Sequence, residues 1–204
     1  ARGFAEKTKA IFNVPGNPIT IKANHEWLAK MSFADVIETA AHFTVQQMLE
    51  RDMFQVRMKE GHPVGLHEFL YPLMQGYDSV AMDVDVEVGG NDQTFNMLAG
   101  RTLMKKMEGK EKAVMALHLL TDASGRKIGK SEGNAINIDA EPEDLFGKVM
   151  TLPDDVIWKC FESCTNVLMI RIASLRQELQ ADPRRSKEEL AWEIVRIYND
   201  SAGA

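Results

Sequence analysis

The chain has few cysteines, no long apolar run and no excess of basic residues. Its two cysteines, Cys160 and Cys164, lie four residues apart in 204 residues, and no other residues complete a metal-ligand set. We interpret them as reduced core thiols of a cytoplasmic protein. No apolar run approaches the roughly 20 residues that span a bilayer. The net charge of −6 argues against a general nucleic-acid coat, so any RNA contact requires local basic patches.

One phosphate-binding motif, the Walker A loop, is also absent. Its spacing, G-x-x-x-x-G-K-[ST], would require a glycine at position 124, where Ser124 stands. The segment 125–134 nevertheless carries Lys127 and Lys130 between glycines. Glycine lets the backbone approach a ligand closely, and lysine supplies a compact positive charge on a long stem. Alone, this pattern is more often a solvated turn; with other motifs beside it, it indicates a loop that meets phosphate oxygens.

Hydrophobic periodicity predicts the elements of the first part of the chain. The β-branched residues of 19–22 predict a short strand. Ser32 is a good N-cap for a helix that runs to about His42. A second helix is predicted over residues 45–60, and Gly61 ends it.

Two predicted strands lead into polar, glycine-containing loops. In residues 84–88 valines alternate with acids, and Gly89-Gly90 ends the strand. Asn91 or Asp92 then caps a helix that runs to about residue 106. Residues 113–120 form the next strand, which leads into the Lys127 loop. Because ligands of open parallel sheets bind beyond the carboxyl ends of the strands, this order predicts an α/β nucleotide site.

Three polar side chains share one helical face between these regions. Tyr71, Gln75 and Asp78 stand at i, i+4 and i+7, which places them on one side of a helix. A polar face of this kind is usually just solvated. Here the neighbouring residues, Leu70, Leu73, Met74 and Tyr77, are apolar and leave little room for an outer polar stripe.

The character of the chain changes after residue 140. Helices are predicted over residues 142–149, 153–164, 166–180 and about 183–199, and Asp182-Pro183 supplies an N-cap and a first helical residue for the last of them. We expect a small all-α domain here.

Three motifs together resemble the bacterial-type tyrosyl-tRNA synthetases, which are class I aminoacyl-tRNA synthetases. They are Tyr71-x-x-x-Gln75-x-x-Asp78, Gly89-Gly90-Asn91-Asp92-Gln93 and Lys127-Ile128-Gly129-Lys130-Ser131, the last being similar to the KMSKS loop. The resemblance runs through essentially the whole chain. It implies an α/β fold: residues 1–140 as the later part of a Rossmann-like catalytic domain whose first half is missing, and residues 141–204 as an α-helical anticodon-binding domain.

The resemblance implies activation of tyrosine with ATP to tyrosyl-adenylate, followed by transfer to tRNA(Tyr). It assigns the KMSKS-like residues to the ATP phosphates: Lys127, Lys130 and Ser131. It assigns a second set to tyrosine: Tyr71 and Gln75 at the α-amino group, Gln93 in the same pocket and Asp78 at the phenol. Gly90 and Asp92 meet the adenylate ribose. ATP enters as a substrate with Mg²⁺ on its phosphates; no tightly bound cofactor and no metal site of the protein are implied.

The resemblance also implies partners. Residues of about 25–70 correspond to the family's connecting segment, which forms a homodimer interface. Two basic clusters are candidate tRNA patches, although each is more often a solvated face: Lys105, Lys106, Lys110 and Lys112, and Arg184, Arg185 and Lys187.

The family's first motif, an H-I-G-H-like element, has no counterpart among these residues, and the S4-like C-terminal extension is absent too. We therefore expect a fragment of a longer protein, inactive on its own. Two alternatives remain open: a tryptophan-type relative, which the Asp78 face argues against because indole offers no phenol, and a non-catalytic, synthetase-derived RNA-binding protein.

Overall fold

A computed structural model describes residues 16, 19–122, 124, 127–129, 135–138, 140–179 and 181–199. These residues fall into two compact units, one of residues 22–119 and one of the residues from 120 onward together with those before 22. The division lies between Leu119 and Leu120, ahead of the predicted domain boundary after residue 140. The assignment of residues to a catalytic and an anticodon-binding domain stays a prediction.

The first unit opens with helices α1 (His25–Leu28), α2 (Phe33–Ala40), α3 (Val45–Leu49), α4 (Asp52–Lys59) and α5 (His67–Ala81). Ser32 caps α2 as predicted, because the Asp35 amide donates to its Oγ at 3.2 Å and the Ser32 amide donates to the Asp35 carboxylate at 2.7 Å. Residues 19–22 were expected to form a strand, and this prediction is wrong: no described strand pairs with this exposed segment, and an unpaired strand leaves its backbone groups to water.

The single helix predicted over residues 45–60 is also wrong. It is two helices, α3 and α4, because Arg51 adopts an extended conformation with ψ of 124° between them. The Gln55 side-chain amide donates to the Leu49 carbonyl at 2.6 Å, which satisfies one acceptor at the end of α3. Gly61 follows the end of α4 with φ of 75°, as predicted for a helix stop.

A two-stranded parallel sheet follows α5. Strands β1 (Val86–Gly90) and β2 (Ala113–Leu117) pair from Val86 with Ala113 to Gly90 with Leu117. The connection holds a 3₁₀ turn (Asn91–Gln93), helix α6 (Thr94–Leu103) and a π-helical turn (Met104–Glu108). This confirms the predicted strand, helix and strand order with shifted bounds.

The glycine pair forms the last two residues of β1, whereas the sequence-based expectation placed it after the strand. Both Gly89 and Gly90 belong to the strand and pair with β2. A Cβ on Gly90 would lie 2.7 Å from the Asp92 carboxylate and 2.8 Å from the Leu119 side chain, so this position needs glycine for space. The carboxyl end of β1, at Gly89 and Gly90, therefore carries no side chains where it enters the following turn.

The second unit is helical. It contains α7 (Pro142–Met150), a 3₁₀ turn (Asp154–Val156), α8 (Ile157–Cys164), α9 (Met169–Glu178) and α10 (Pro183–Asn199). Its core includes Leu145, Val149, Phe161 and Leu190. The small parallel sheet with its crossover helix and this helical region agree with the predicted fold class.

Candidate functional site

The polar face of α5 is placed as predicted. Tyr71, Gln75 and Asp78 are partly exposed, whereas Leu73, Gly76 and Ser79 of the same helix are buried. Tyr71 is 51 % exposed, and Gln75 and Asp78 are half-buried. The polar face is thus open to solvent in part, next to the buried side of α5.

Asp78 is held by a tryptophan from a distant part of the chain. The Trp27 indole Nε1 donates to the Asp78 carboxylate at 2.8 Å. Burial raises the pKa of Asp78; hydrogen bonds from Trp27 and Asn24 oppose this effect, and the like charge of Glu87 adds to it, so that the pKa stays above its ordinary value. The result is a partly desolvated acid that can accept a hydrogen bond from a ligand hydroxyl.

Three side-chain amides form a second polar cluster beside Asp78. Asn96, on α6, is 3 % exposed, and its Nδ2 donates to Gln75 Oε1 and to Gln93 Oε1, each at 3.0 Å. The Asn96 Oδ1 is buried without a hydrogen-bond partner among the described residues. Asn96 therefore joins the two glutamines that the resemblance assigned to one pocket.

The turn after β1 contains Gln93, one of the two glutamines bound by Asn96. Asn91–Gln93 form a 3₁₀ turn directly before α6, and the Thr94 hydroxyl donates to the Asn91 carbonyl at 2.7 Å. Gln93 stands at the end of this turn, so its backbone position is fixed by the strand before it and the helix after it. Gly90 directly precedes the turn and Asp92 is its middle residue; these are the two residues to which the resemblance assigned a ribose contact.

The Lys127 loop belongs to the second compact unit. Thr121 and Lys127 form an antiparallel bridge, and the Ile128 amide donates to the Leu120 carbonyl at 2.8 Å. Leu120 and Ile128 also pack against the helical core of that unit. The backbone at Lys127 is thus held by the bridge to Thr121. The assignments of Lys130 and Ser131 lie outside the described residues.

A cation that the sequence did not single out lies near Tyr71. The Arg51 guanidinium carbon is 4.7 Å from the centroid of the Phe54 ring and 5.5 Å from that of Phe95, which is cation–π geometry. Burial lowers the pKa of Arg51, and the electrostatic effects of Tyr71 and Glu68 oppose this. Arg51 stands at the break between α3 and α4, which the helical periodicity of the sequence did not reveal.

The structure corrects the first predicted basic patch. Lys112 is buried and pairs with Glu87, so it presents no charge to solvent. Five other members of the two clusters also have partners: Lys105 with Glu111 at 2.5 Å, Lys106 with the His42 carbonyl at 2.6 Å, Lys110 with Asp83 at 2.7 Å, Arg184 with Glu188 at 3.1 Å and Lys187 with Asp154 at 2.6 Å. Neither cluster is a row of uncompensated charges.

A metal site or a membrane span would depend on how the described residues are grouped. Among them, no group of three or more His, Cys, Asp or Glu side chains is arranged to hold a metal ion. Cys160 and Cys164 are free thiols, and Cys160 is buried as predicted. Within the same part of the chain, no helix is both long and apolar enough to cross a bilayer.

Comparison with known proteins identifies the wider group. A family model described as tRNA synthetases class I (W and Y) matches residues 5–204. The chain is 43 % identical over 202 residues to a tyrosine–tRNA ligase of Carboxydothermus hydrogenoformans, covering 97 % of this chain and 46 % of that protein. It is 42 % identical over 201 residues to tyrosine–tRNA ligase 2 of Clostridium acetobutylicum, covering 96 % of this chain and 50 % of that protein. The chain thus spans about half the length of these relatives.

Solved structures give the same result for the fold. A C-terminally truncated mitochondrial tyrosyl-tRNA synthetase of Coccidioides posadasii superposes with a TM-score of 0.67 at 28 % identity, covering 88 % of this chain and 54 % of that one. A tyrosyl-tRNA synthetase of Archaeoglobus fulgidus superposes with a TM-score of 0.69 at 18 % identity, covering 98 % and 70 %, and this likeness concerns the fold alone. The resemblance read from the three motifs is confirmed.

Proposed function

The chain belongs to the class I tRNA synthetases for tryptophan and tyrosine, and on that premise we propose that its protein activates tyrosine with ATP and transfers it to tRNA(Tyr). The observation that carries the choice of tyrosine is the arrangement on α5. A charged acceptor, Asp78, stands three residues from Gln75, whose amide joins the cluster around Asn96. The two polar groups match the two ends of a tyrosine, a phenolic donor and an ammonium donor.

The Asp78 carboxylate selects the phenol because a carboxylate accepts hydrogen bonds and does not donate them. A phenylalanine ring in the same place would leave this half-buried acid without its ligand partner, which costs more than the loss of one contact. At the other end, the carbonyl oxygens of Gln75 and Gln93 and the hydroxyl of Tyr71 accept from the α-ammonium group. Binding at both ends aligns the α-carboxylate for reaction.

In the activation step one oxygen of the tyrosine carboxylate forms a bond to the α-phosphorus of ATP, and the bond from that phosphorus to the bridging oxygen breaks to release diphosphate. We propose that Lys127, Lys130 and Ser131 balance the charge that grows on the departing phosphates. ATP enters with Mg²⁺ on its phosphates. The bare backbone at Gly90 and the carboxylate of Asp92 take the ribose.

We propose a homodimer through the segment of about 25–70. Several large apolar side chains of this segment are open to solvent, including Phe33 at 81 % and Leu66 at 82 % exposure. Phe33 and Ile37 lie one turn apart on α2, so they form one apolar stripe. Such a stripe is costly on a monomer surface, and an identical stripe on a second copy covers it with two-fold symmetry.

Further parts of the proposal rest on the family alone. The helical region from residue 141 contacts the anticodon end of the tRNA, and the protein acts in the cytoplasm.

The proposal is tested by exchange of labelled diphosphate into ATP, catalysed by the full-length gene product with one amino acid at a time. Tyrosine should support exchange, whereas phenylalanine and tryptophan should not. Exchange with tryptophan alone would transfer the assignment to the tryptophan members of the family. The absence of exchange with all three, together with binding of tRNA(Tyr), would favour the non-catalytic alternative.

A further inference from the structure

One lysine, Lys112, is fully buried in the first unit. The Lys112 side chain is 0 % exposed and stands one residue before β2. Its ammonium donates to the Ser79 hydroxyl at 2.9 Å and forms an ion pair with Glu87. Taking two charges out of water costs free energy that their attraction need not recover. A buried ion pair in this place therefore calls for a role beyond stability.

The surrounding backbone makes room for this charge. A Cβ on Gly100 of α6 would lie 2.5 Å from the Lys112 Nζ and 2.7 Å from the Ser79 hydroxyl. The Lys112 ammonium therefore lies between three elements. Helix α5 contributes Ser79, helix α6 contributes Gly100 and strand β1 contributes Glu87. The Ser79 hydroxyl also donates to Glu87 at 3.1 Å, which closes a three-membered hydrogen-bonded group.

The group of Lys112, Ser79 and Glu87 is linked to Asp78 in two ways, through the chain and through charge. Ser79 directly follows Asp78 on α5, so its hydrogen bonds fix the turn of helix that presents Asp78. The groups acting on Asp78 are Asn24 and Trp27 from the region of α1, which donate hydrogen bonds, and Glu87 from β1, which is the charged one. Lys112 is the cation paired with Glu87. Removing that cation would leave the negative charge of Glu87, which already acts on Asp78, without its partner.

We propose that Lys112 is a positioning residue for the substrate phenol: it neutralises Glu87 and holds Ser79, so that Asp78 remains a charged, correctly oriented acceptor that prefers tyrosine to phenylalanine. This inference rests on the proposed function, since it concerns how the same pocket selects tyrosine over phenylalanine. Lys112 does not touch the substrate itself, and its effect passes through Glu87 and Ser79.

The test measures tyrosine affinity of the full-length gene product as a function of pH. Lys112→Met should weaken tyrosine by about tenfold at pH 7, the size of a lost charge-assisted interaction. It should also move the acid limb of the binding profile to higher pH, because an unbalanced Glu87 favours protonated Asp78. The double variant Lys112→Met/Glu87→Gln should return the acid limb towards the wild-type position, which a purely structural lysine would not do. Lys148→Met, on the exposed side of α7, is the matched control and should leave the profile unchanged.

Two results would overturn the inference. The first is a folded Lys112→Met variant with the wild-type pH profile of tyrosine binding. The second is an acid limb that is the same in the double variant as in Lys112→Met. If Lys112→Met does not fold, Glu87→Gln decides, because loss of the like charge should move the acid limb to lower pH, and an unmoved limb contradicts the inference. Failure of the wild type to bind tyrosine at any pH would instead overturn the proposed function.

Discussion

The indole of Trp27 and the carboxylate of Asp78 are joined by a hydrogen bond of 2.8 Å across 51 residues of sequence. The bond fixes the short helix α1 against the polar face of α5. A donor on a carboxylate stabilises its charged form, so Trp27 offsets part of the burial that raises the pKa of Asp78. Trp27 therefore favours the ionised form of Asp78, which is the form that accepts from a phenol hydroxyl.

Replacing Trp27 by phenylalanine should weaken tyrosine binding while leaving ATP binding unchanged. The variant keeps an aromatic ring but removes the donor, and a hydrogen bond to a charged group contributes roughly 1.5–3 kcal/mol. Because that bond lowers the pKa of Asp78, its loss raises the pKa, and tyrosine affinity should begin to fall at a higher pH than in the wild type. Calorimetric titrations with tyrosine over a pH series measure this. An unshifted acid limb would show that Trp27 only packs.

The Asn96 amide should be required for the geometry of both glutamines. Asn96→Ala removes the donor shared by Gln75 and Gln93. Because the two glutamine side chains are then no longer held in position, we expect about tenfold weaker tyrosine binding, the size of one lost buried interaction. Thr102→Ala removes a partly exposed hydroxyl of α6 that bonds within the helix, to the Leu98 carbonyl at 3.0 Å; it is the matched control and should bind tyrosine as the wild type does. Equal affinities for both variants would mean that the amide cluster is not part of the pocket.

Glu68 at the start of α5 should make stability depend on acid pH. The Arg57 guanidinium donates to its carboxylate at 2.6 Å and the Gly65 amide at 2.8 Å; these bonds lower the pKa of Glu68 from 4.5 to about 2. A carboxyl with a depressed folded-state pKa contributes stability above its unfolded pKa, and that contribution disappears as pH falls through the folded value.

Glu68→Gln should accordingly have a lower thermal midpoint than the wild type at neutral pH. The difference between the two midpoints should shrink as pH falls from 4.5 towards 2, the window set by this pKa shift. Thermal melts of both proteins at matched ionic strength measure it. A difference that stays constant across this range would show that the ion pair contributes nothing that depends on the charge of Glu68.

The apolar stripe on α2 should be needed for dimer formation. Phe33→Asp combined with Ile37→Asp places two charges on the proposed interface, and burying unpaired like charges opposes association. Sedimentation velocity should show a dimer for the wild type and a monomer for this variant. Ile170→Asp alters an equally exposed apolar residue of α9 and should remain dimeric. A wild-type monomer at micromolar concentration would contradict the proposed interface.

The sequence predicted the local features that depend on neighbours in the chain. The Ser32 cap, the stop at Gly61 and the shared face of Tyr71, Gln75 and Asp78 follow from backbone geometry within one or two turns. The order of β1, α6 and β2 also followed from periodicity and glycine position.

The features that the sequence did not predict depend on contacts between distant residues. The break at Arg51 has no strong breaker in the sequence, and its guanidinium is placed by aromatic rings 3 and 44 residues away. Lys112 stands in a run of lysines that looks solvated, and its burial depends on the absent side chain of Gly100. The partnership of Trp27 with Asp78 likewise exists only after the chain folds.

Separate titrations of tyrosine and ATP into the wild type and Asp78→Ala, using the full-length gene product, test most directly whether the α5 face binds the phenol. The Asp78→Ala substitution removes the acceptor and leaves the phenol hydroxyl without a partner, which weakens the binding free energy by roughly 1–3 kcal/mol or more. We expect tyrosine affinity to fall by about one to two orders of magnitude and ATP affinity to remain as in the wild type. An equal loss for both ligands, or none for tyrosine, would show that Asp78 is structural and that the tyrosine pocket lies elsewhere.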